Sequence, residues 1–470
     1  MTPEPSSSSP IGRAIATALT AIRYEDIPED VLATTRAFVL DTIGVIGAAT
    51  HAPGMENLLA ALGEWELGGS ATLLLNGRTA NPATAALANA AAAHSLDFDD
   101  QHDPARVHVF CVVLPAVLAA VEAEEMVHGR DALAAIAVGV ELFCRLGLAC
   151  YNSLGKGWHP TTALGSLAAA AAAGKVLKLD AEQMVHALGI AFVQMSGTTQ
   201  FIADGALAKR LGPGFAARNG VLAAQMARHG LTGPWRFLEG EAGLFNLHER
   251  GEVRPEILTD GLGTEWHLRD LSMKPYPCCR CTHTVIELAR DLRREGLTGD
   301  DIESGTIELG RVNRQIVGAA FDRSHPNPVV HAQFNAAYTF AAALRDGEVT
   351  IPTFLPERIR AADVAFAARL ETREAADFEP TAIAPARVRL QLRDGSTIES
   401  TRLTIKGAPN DPMSEAEVLA KFRNCLNWGL GEDAAAIAAL ERIALHLDEQ
   451  EDARDLVRSF LACRTEARAA

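Results

Sequence analysis

Through most of the first 265 positions apolar residues recur at helical spacing, in runs cut by Gly and Pro and opened by capping residues. In "DAEQMVHALGIAFVQ" (180–194), Asp180 and Gln183 stand in capping-box spacing, so a helix is predicted to begin there. "PTTALGSLAAAAAAGKVLKL" (160–179) opens with Pro160 and Thr161, which suit a helix entrance because the N–H groups of a first turn have no intrahelical acceptor. The apolar span 132–151, "ALAAIAVGVELFCRLGLACY", carries Glu141 and Arg145 and is read as a buried helix of a soluble protein rather than a membrane span. The texture then changes. "SGTIELGRV" (304–312) and "ARVRLQLRDGSTIESTRL" (386–403) alternate apolar and polar residues, and Asp394-Gly395 between two alternating runs is a hairpin signal. "SEAEVLAKFRNCLNWGL" (414–430) starts with Ser414 and Glu417 in another capping box, and helical spacing continues to the end. The expected fold is mainly α: a loose tail over 1–11, a helical domain formed by 12–268 and 406–470, and a smaller α+β domain over 269–405 inserted between them.

Composition narrows this picture. At 470 residues the chain exceeds what one core normally spans. Apolar residues make up 48% but aromatics only 6%, and the abundant alanine favours closely packed helices. A formal net charge of −16 argues against nucleic acid or an anionic membrane as partner, since both are recognised by clustered positive charge. A single cationic pocket for a small anion remains compatible with it. The first ten residues, "MTPEPSSSSP", lack the basic and apolar stretches of a secretion signal, and eight cysteines without framework spacing suit a reducing, cytoplasmic setting. No internal repeat at a fixed period is present.

Four stretches carry candidate chemistry. "HSLDFDDQHDPARVH" (94–108) concentrates His94, Asp97, Asp99, Asp100, His102, Asp103 and His108. It reads either as a solvated acidic loop or as an acid/base site in which Asp orients His; its spacing fits no helical zinc pair. "GKGWHPTTALG" places His159 at a helix entrance, where it either packs as a cap or shares an anion with the free N–H groups. "ADGALAKRLGPGFAARNG" sets Lys209 and Arg210 before a second helix start; the pair is surface charge or a repeat of the same anion-binding logic. "MKPYPCCRCTH" (273–283) holds Cys278, Cys279, Cys281 and His283, but adjacent cysteines do not readily share one ion and CxxC redox spacing is absent. Lys274 there would bring a further cation from the second domain. No Walker loop, dinucleotide fingerprint, nucleophile elbow or HExxH stands in a supporting context, so no cofactor and no metal are expected. The inventory suits acid/base chemistry on a small polycarboxylate.

Taken in order, "HSLDFDD", "GWHPTTALG", "DGALAKRLGPGFAARNGVLAA" with "GLTGP", and "KPYPCCRCTH" resemble the MmgE/PrpD family, as do the later "AQFNAAYTFAAALRDG" and "NDPMSEAEVLAKF". That family includes 2-methylcitrate dehydratases, cis-aconitate decarboxylases and iminodisuccinate epimerases. The resemblance implies a helical domain from both ends of the chain, an inserted lid domain, a homodimer, and a pocket between the domains. By motif it implies catalytic roles for Asp97, His108, His159, Lys209, Lys274 and Tyr338. Beside these, Gln101, which stands where several relatives carry Thr or Ser, and Arg210, Arg280 and His283 are read as substrate-binding positions. One departure stands out: the loop histidine is followed by Val109, Phe110 and Cys111 instead of Pro and a small residue, which bears on the size of substrate accepted.

The reading that follows is a cofactor-independent lyase acting at an α-carbon of a small polycarboxylate, with 2-methylcitrate-type dehydration the first expectation. The alternatives are a cis-aconitate-type decarboxylase and an epimerase of an iminodicarboxylate. From a different class comes a non-catalytic member that binds a small acid or serves as a scaffold.

Overall fold

The structure, a computed structural model, describes residues 11–65, 68–322, 324–325 and 327–464. The tail expected over 1–11 lies outside the described residues up to position 10, and Ile11 already begins the first helix. The N-terminal part builds a run of helices: α1 (Ile11–Ala21), α2 (Glu29–Ala48), α3 (Met55–Trp65), α4 (Pro82–His94), α5 (Phe110–Ala123), α6 (Gly129–Ala149), α7 (Pro160–Val176), α8 (Ala181–Val193) and α9 (Gly212–Arg228). Both predicted capping boxes form, at Asp180/Gln183 and at Ser414/Glu417. Residues 160–174 of α7 are all buried, and α5, α6, α8 and α9 pack around this helix. Alanine and glycine permit that arrangement: a Cβ added at Gly220 of α9 would lie 2.3 Å from the Ala169 Cβ and 2.5 Å from the Ala170 nitrogen of α7.

Two helical stretches, Glu29–His51 and Gly129–Ala149, are long and apolar enough to cross a membrane by length and composition, yet 78% and 94% of their apolar windows are buried inside the protein. The charges within α6 have an internal purpose. Arg145 Nε donates to Glu141 Oε1 at 2.6 Å, and its other nitrogens donate to the carbonyls of Ile257, Asp260 and Glu265. Glu141 Oε2 accepts from the Leu268 N–H at 3.0 Å, so this buried pair fastens the 257–268 segment onto α6 with its hydrogen-bonding capacity used.

Buried apolar residues form two main clusters. The larger runs from Ile15 to Met273 and takes in Phe422 to Cys463; the smaller runs from Tyr276 to Leu390. The chain leaves the first through Lys274 and Pro275 and returns to it between Leu390 and Phe422. The smaller cluster lies between helices α10 (His283–Arg294) and α11 (Ala336–Asp346) and a four-stranded sheet. The strands are β1 (Ile302–Leu309), β2 (Leu370–Glu374), β3 (Ala386–Leu392) and β4 (Thr397–Arg402), in the order β2-β1-β3-β4. Only β1 with β2 is parallel. The predicted Asp394-Gly395 turn joins β3 to β4: Gly395 takes φ +90°, and Asp394 Oδ1 accepts from the Ser396 N–H and hydroxyl. The alternation read over 304–312 ends earlier, because Gly310 caps a short helix beginning at Arg311. At the C-terminal end, α12 (Glu415–Leu430) packs along α2, followed by α13 (Ala434–Leu445) and α14 (Asp455–Ala462).

Gly220→Ala should destabilise the protein by about 1–3 kcal/mol through overpacking between α7 and α9. A urea midpoint unchanged from wild type would contradict this close approach.

Candidate active site

The loop between α4 and α5 owes its shape to Asp100. Its carboxylate accepts the N–H groups of Val109 and Phe110, each at 2.9 Å, and so caps the first turn of α5. This contact folds residues 100–109 back on themselves and sets His108 over the carbonyl of Asp100, 2.6 Å from Nδ1. A carbonyl only accepts, so His108 Nδ1 carries the proton and Nε2 keeps its lone pair. At the start of the loop Asp97 has φ +54°, a left-handed conformation that Asp tolerates better than most residues. His159 is the N-cap residue of α7, and Lys209 sits in the 3-10 turn Leu207–Leu211 that leads into α9. Lys274 follows Leu271–Ser272, a segment that pairs antiparallel with Gln101–His102 and so runs beside the acidic loop.

These elements converge on one carboxylate. Lys274 Nζ donates to Asp97 Oδ1 at 2.6 Å and to the Asp97 carbonyl at 3.0 Å, while Lys209 Nζ lies 3.3 Å from Asp97 Oδ2. Lys209 Nζ also lies 2.8 Å from His94 Nε2, and His94 Nδ1 lies 2.8 Å from Asp99 Oδ2. The ring centroids of His94 and His108 are 4.8 Å apart, those of His94 and His159 6.3 Å. Below the loop, Lys421 of α12 pairs with Asp41 of α2 at 2.7 Å, donates to the Phe98 carbonyl at 2.9 Å and lies 4.1 Å from the centre of the Phe98 ring.

Burial and charge set the protonation states. Burial acts to raise the pKa of Asp97, but the ammonium groups of Lys209 and Lys274 outweigh it and hold the carboxyl well below its usual range. Burial acts to lower the pKa of Lys274, and Asp97 and Asp99 reverse this, so Lys274 stays charged. His108 is pushed down to about 3 by burial, with the attraction of Asp99 too weak to compensate against Lys274. His159 is driven well below its ordinary value by burial and by Lys209, and His94 is lowered by burial despite Asp99. Three neutral imidazoles therefore face two ammonium groups. Such a site stabilises negative charge developing on a small molecule and has bases and latent acids beside it.

Residues 13–256 match the MmgE/PrpD N-terminal domain and residues 276–446 the MmgE/PrpD C-terminal domain. The chain belongs to the MmgE/PrpD family. Its relatives include a cis-aconitate decarboxylase-like protein, oryM, of Aspergillus oryzae, 30% identical over 93% of this chain and 95% of that protein. The cis-aconitate decarboxylase of Aspergillus terreus is 30% identical over 92% of each chain, and that of Homo sapiens 29% identical over 94% of this chain and 92% of its own. This MmgE/PrpD protein is a lyase.

Of the residues that the family resemblance singles out, Asp97, His108, His159, Lys209 and Lys274 come together as described. Tyr338 does not join them: its hydroxyl donates to the Thr353 carbonyl at 3.0 Å and its ring stacks on Phe321 within the smaller core. Gln101 and Arg280 meet instead at Asp103, which accepts from Gln101 Nε2 at 3.2 Å and from Arg280 at 3.1 Å. With Arg280 also donating to the Lys406 carbonyl, this group braces the chain where it passes between the two cores. His283 packs inside that brace, its Nε2 3.2 Å from the Cys278 carbonyl and its ring against Tyr276. Arg210 turns away from Lys209 to the Pro53 carbonyl and lines a separate cavity of about 150 Å³ with Leu96, Gln333 and Trp428.

His94 and Asp99 were visible in "HSLDFDD", but nothing local marks them off from their neighbours; their roles depend on Lys209, more than a hundred residues away. The departure after His108 also has a physical account. Phe110 stacks on Phe38 at 5.2 Å, so its bulk is taken up in the helical core. Cys111 lies beside His94 and Asp99, with one ligand-type atom from each within 4.8 Å of the others. That trio suits a cation poorly: both His94 nitrogens are engaged, Lys209 stands against one of them, and burial raises the Cys111 thiol well above its ordinary pKa. Cys278, Cys279 and Cys281 are buried free thiols.

His102, buried and accepting from the Ala105 N–H, is pushed down to about 4 by burial. In the unfolded chain it titrates near 6.5, so between those values the unfolded state binds the extra proton and stability rises with pH. Its contribution is intact above pH 6.5 and is lost as pH falls toward 4, roughly 2 kcal/mol by pH 5. His102→Asn, which retains an acceptor for Ala105, should shrink the stability difference between pH 7.5 and pH 5 by about that amount in urea titrations. Equal losses in variant and wild type would contradict the buried neutral state.

Proposed function

We propose that this MmgE/PrpD lyase decarboxylates cis-aconitate or a close tricarboxylate analogue. The observation that carries the reading is the convergence of Lys209 and Lys274 on Asp97 beside the unprotonated Nε2 of His108. Relatives that carry the name cis-aconitate decarboxylase over more than nine-tenths of the chain favour it over the 2-methylcitrate-type dehydration first expected.

The chemistry needs what these residues offer. In an unsaturated tricarboxylate of this kind, the bond from the methylene carbon to its carboxylate breaks and CO₂ leaves. The electron pair moves through the double bond to the carbon beside another carboxylate, giving a dienolate. A proton added at that carbon yields a five-carbon dicarboxylate with a terminal methylene. Lys209 and Lys274 hold the carboxylates and the dienolate charge in a water-poor setting where each contact is strengthened. A bound trianion raises the pKa of the buried imidazoles, because an adjacent negative charge favours their protonated form. His108 and His159 then become the acids that deliver the proton, and Asp97 holds both lysines in place and keeps Lys274 charged.

Purified protein given cis-aconitate should release CO₂ and form vinylidene protons visible by NMR, and Lys274→Met should lower kcat/KM by about 10²–10³-fold. Loss of water from 2-methylcitrate without CO₂ release would return the dehydratase reading. No turnover of either compound would overturn both.

A further inference from the structure

The two residues of the cluster that the proposed chemistry leaves unused are His94 and Asp99, whose side chains have no exposed surface. Asp99 Oδ2 lies 2.8 Å from His94 Nδ1, and a carboxylate in this pair accepts, so Nδ1 carries the imidazole proton. With burial keeping the ring neutral, Nε2 must present a lone pair. That lone pair points at Lys209 Nζ, 2.8 Å away.

We propose that Asp99 and His94 are positioning residues for Lys209, an aspartate–imidazole pair that fixes one tautomer so that the lysine ammonium is held in a single orientation. The ammonium has three donors. One goes to His94 Nε2 and one to Asp97 Oδ2, which leaves a third with no partner among the described residues and free for a substrate carboxylate. The opposite tautomer would set an N–H against the ammonium and expel it. Asp99 therefore governs Lys209 without touching it. Phe334, its ring centre 5.2 Å from Lys209 Nζ, covers another side of the ammonium with an aromatic face. His108 Nδ1, 3.4 Å from the same Asp99 oxygen, makes its shorter contact with the Asp100 carbonyl, so Asp99 serves mainly His94.

This inference rests on the decarboxylase reading for its kinetic consequence but not for its geometry, and two measurements separate them. The first is NMR of protein labelled with ¹⁵N-histidine, the His94 signal among the 14 histidines being assigned by its absence in His94→Gln. Nδ1 should be protonated and Nε2 an unprotonated hydrogen-bond acceptor, and the Nε2 shift should move in Lys209→Met. A protonated Nε2, or an Nε2 shift indifferent to Lys209→Met, would overturn the proposal whatever the enzyme's substrate.

The second is a double-mutant cycle on CO₂ release. His94→Asn keeps a group at the Nδ1 position but loses the one facing Lys209, and should cut kcat/KM by roughly 10²-fold, whereas His94→Gln, whose amide oxygen reaches the Nε2 position, should recover to within about tenfold of wild type. In a Lys209→Met background, His94→Asn should cost no more than about threefold further. Losses that multiply would mean that His94 acts independently of Lys209. Should His94→Asn not fold, the Gln variant and the Lys209→Met spectrum decide the matter. Should wild type release no CO₂, the decarboxylase reading fails alone, and the tautomer measurement still tests the positioning role.

Discussion

One carboxylate holds this site together. Asp97 sits between Lys209, from the turn before α9, and Lys274, from the segment joining the two cores, and all three are buried. A buried charge without a partner is expensive: removing one member of such an arrangement typically costs about 3–5 kcal/mol. The two lysines therefore have to come to Asp97, and the surrounding chain is shaped to let them. The left-handed turn at Asp97, the capping of α5 by Asp100 and the pairing of Gln101–His102 with Leu271–Ser272 all serve to bring that carboxylate under Lys274.

The same constraint explains the placement of neutral groups. Two ammonium ions near three histidines make a further positive charge unfavourable, so burial and repulsion combine to keep the rings unprotonated until an anion arrives. Under the proposed decarboxylation such a site is poised: the anion that needs cations would also be the one that turns its bases into acids. The charged pair Lys421–Asp41 lies under the loop and holds the Phe98 carbonyl, tying the C-terminal helix α12 to the backbone of the acidic loop.

Much of this was legible in the chain. Capping boxes at Asp180 and Ser414, the Asp394-Gly395 hairpin and the shift from helical to alternating spacing are local signals set by backbone hydrogen bonding, and the elements they announce formed. Five of the six catalytic positions assigned by motif gather at one place, because each motif fixes a backbone turn or helix start as well as a side chain. What failed to follow depended on distant partners. Tyr338 sits in its expected helix, but Phe321 and the Thr353 carbonyl decide where its hydroxyl points. Arg280 and His283 looked like pocket residues, yet Asp103 and the carbonyls of Lys406 and Cys278 claim them for the passage between the cores. The pairing of His94 with Lys209 likewise has no signature in spacing.

The phenylalanine that breaks the family's loop pattern has a consequence beyond its own contacts. Phe110 begins α5, is completely buried and lies flat against Phe38 of α2. Its neighbour Val109 gives its N–H to Asp100, as Phe110 does. The second position after the loop histidine is thus committed to the interior of the bundle, where a lost methylene or ring is felt as a cavity. A change at residue 110 is therefore met first as a change to the packing of α5 on α2, before it can be felt at the lysines.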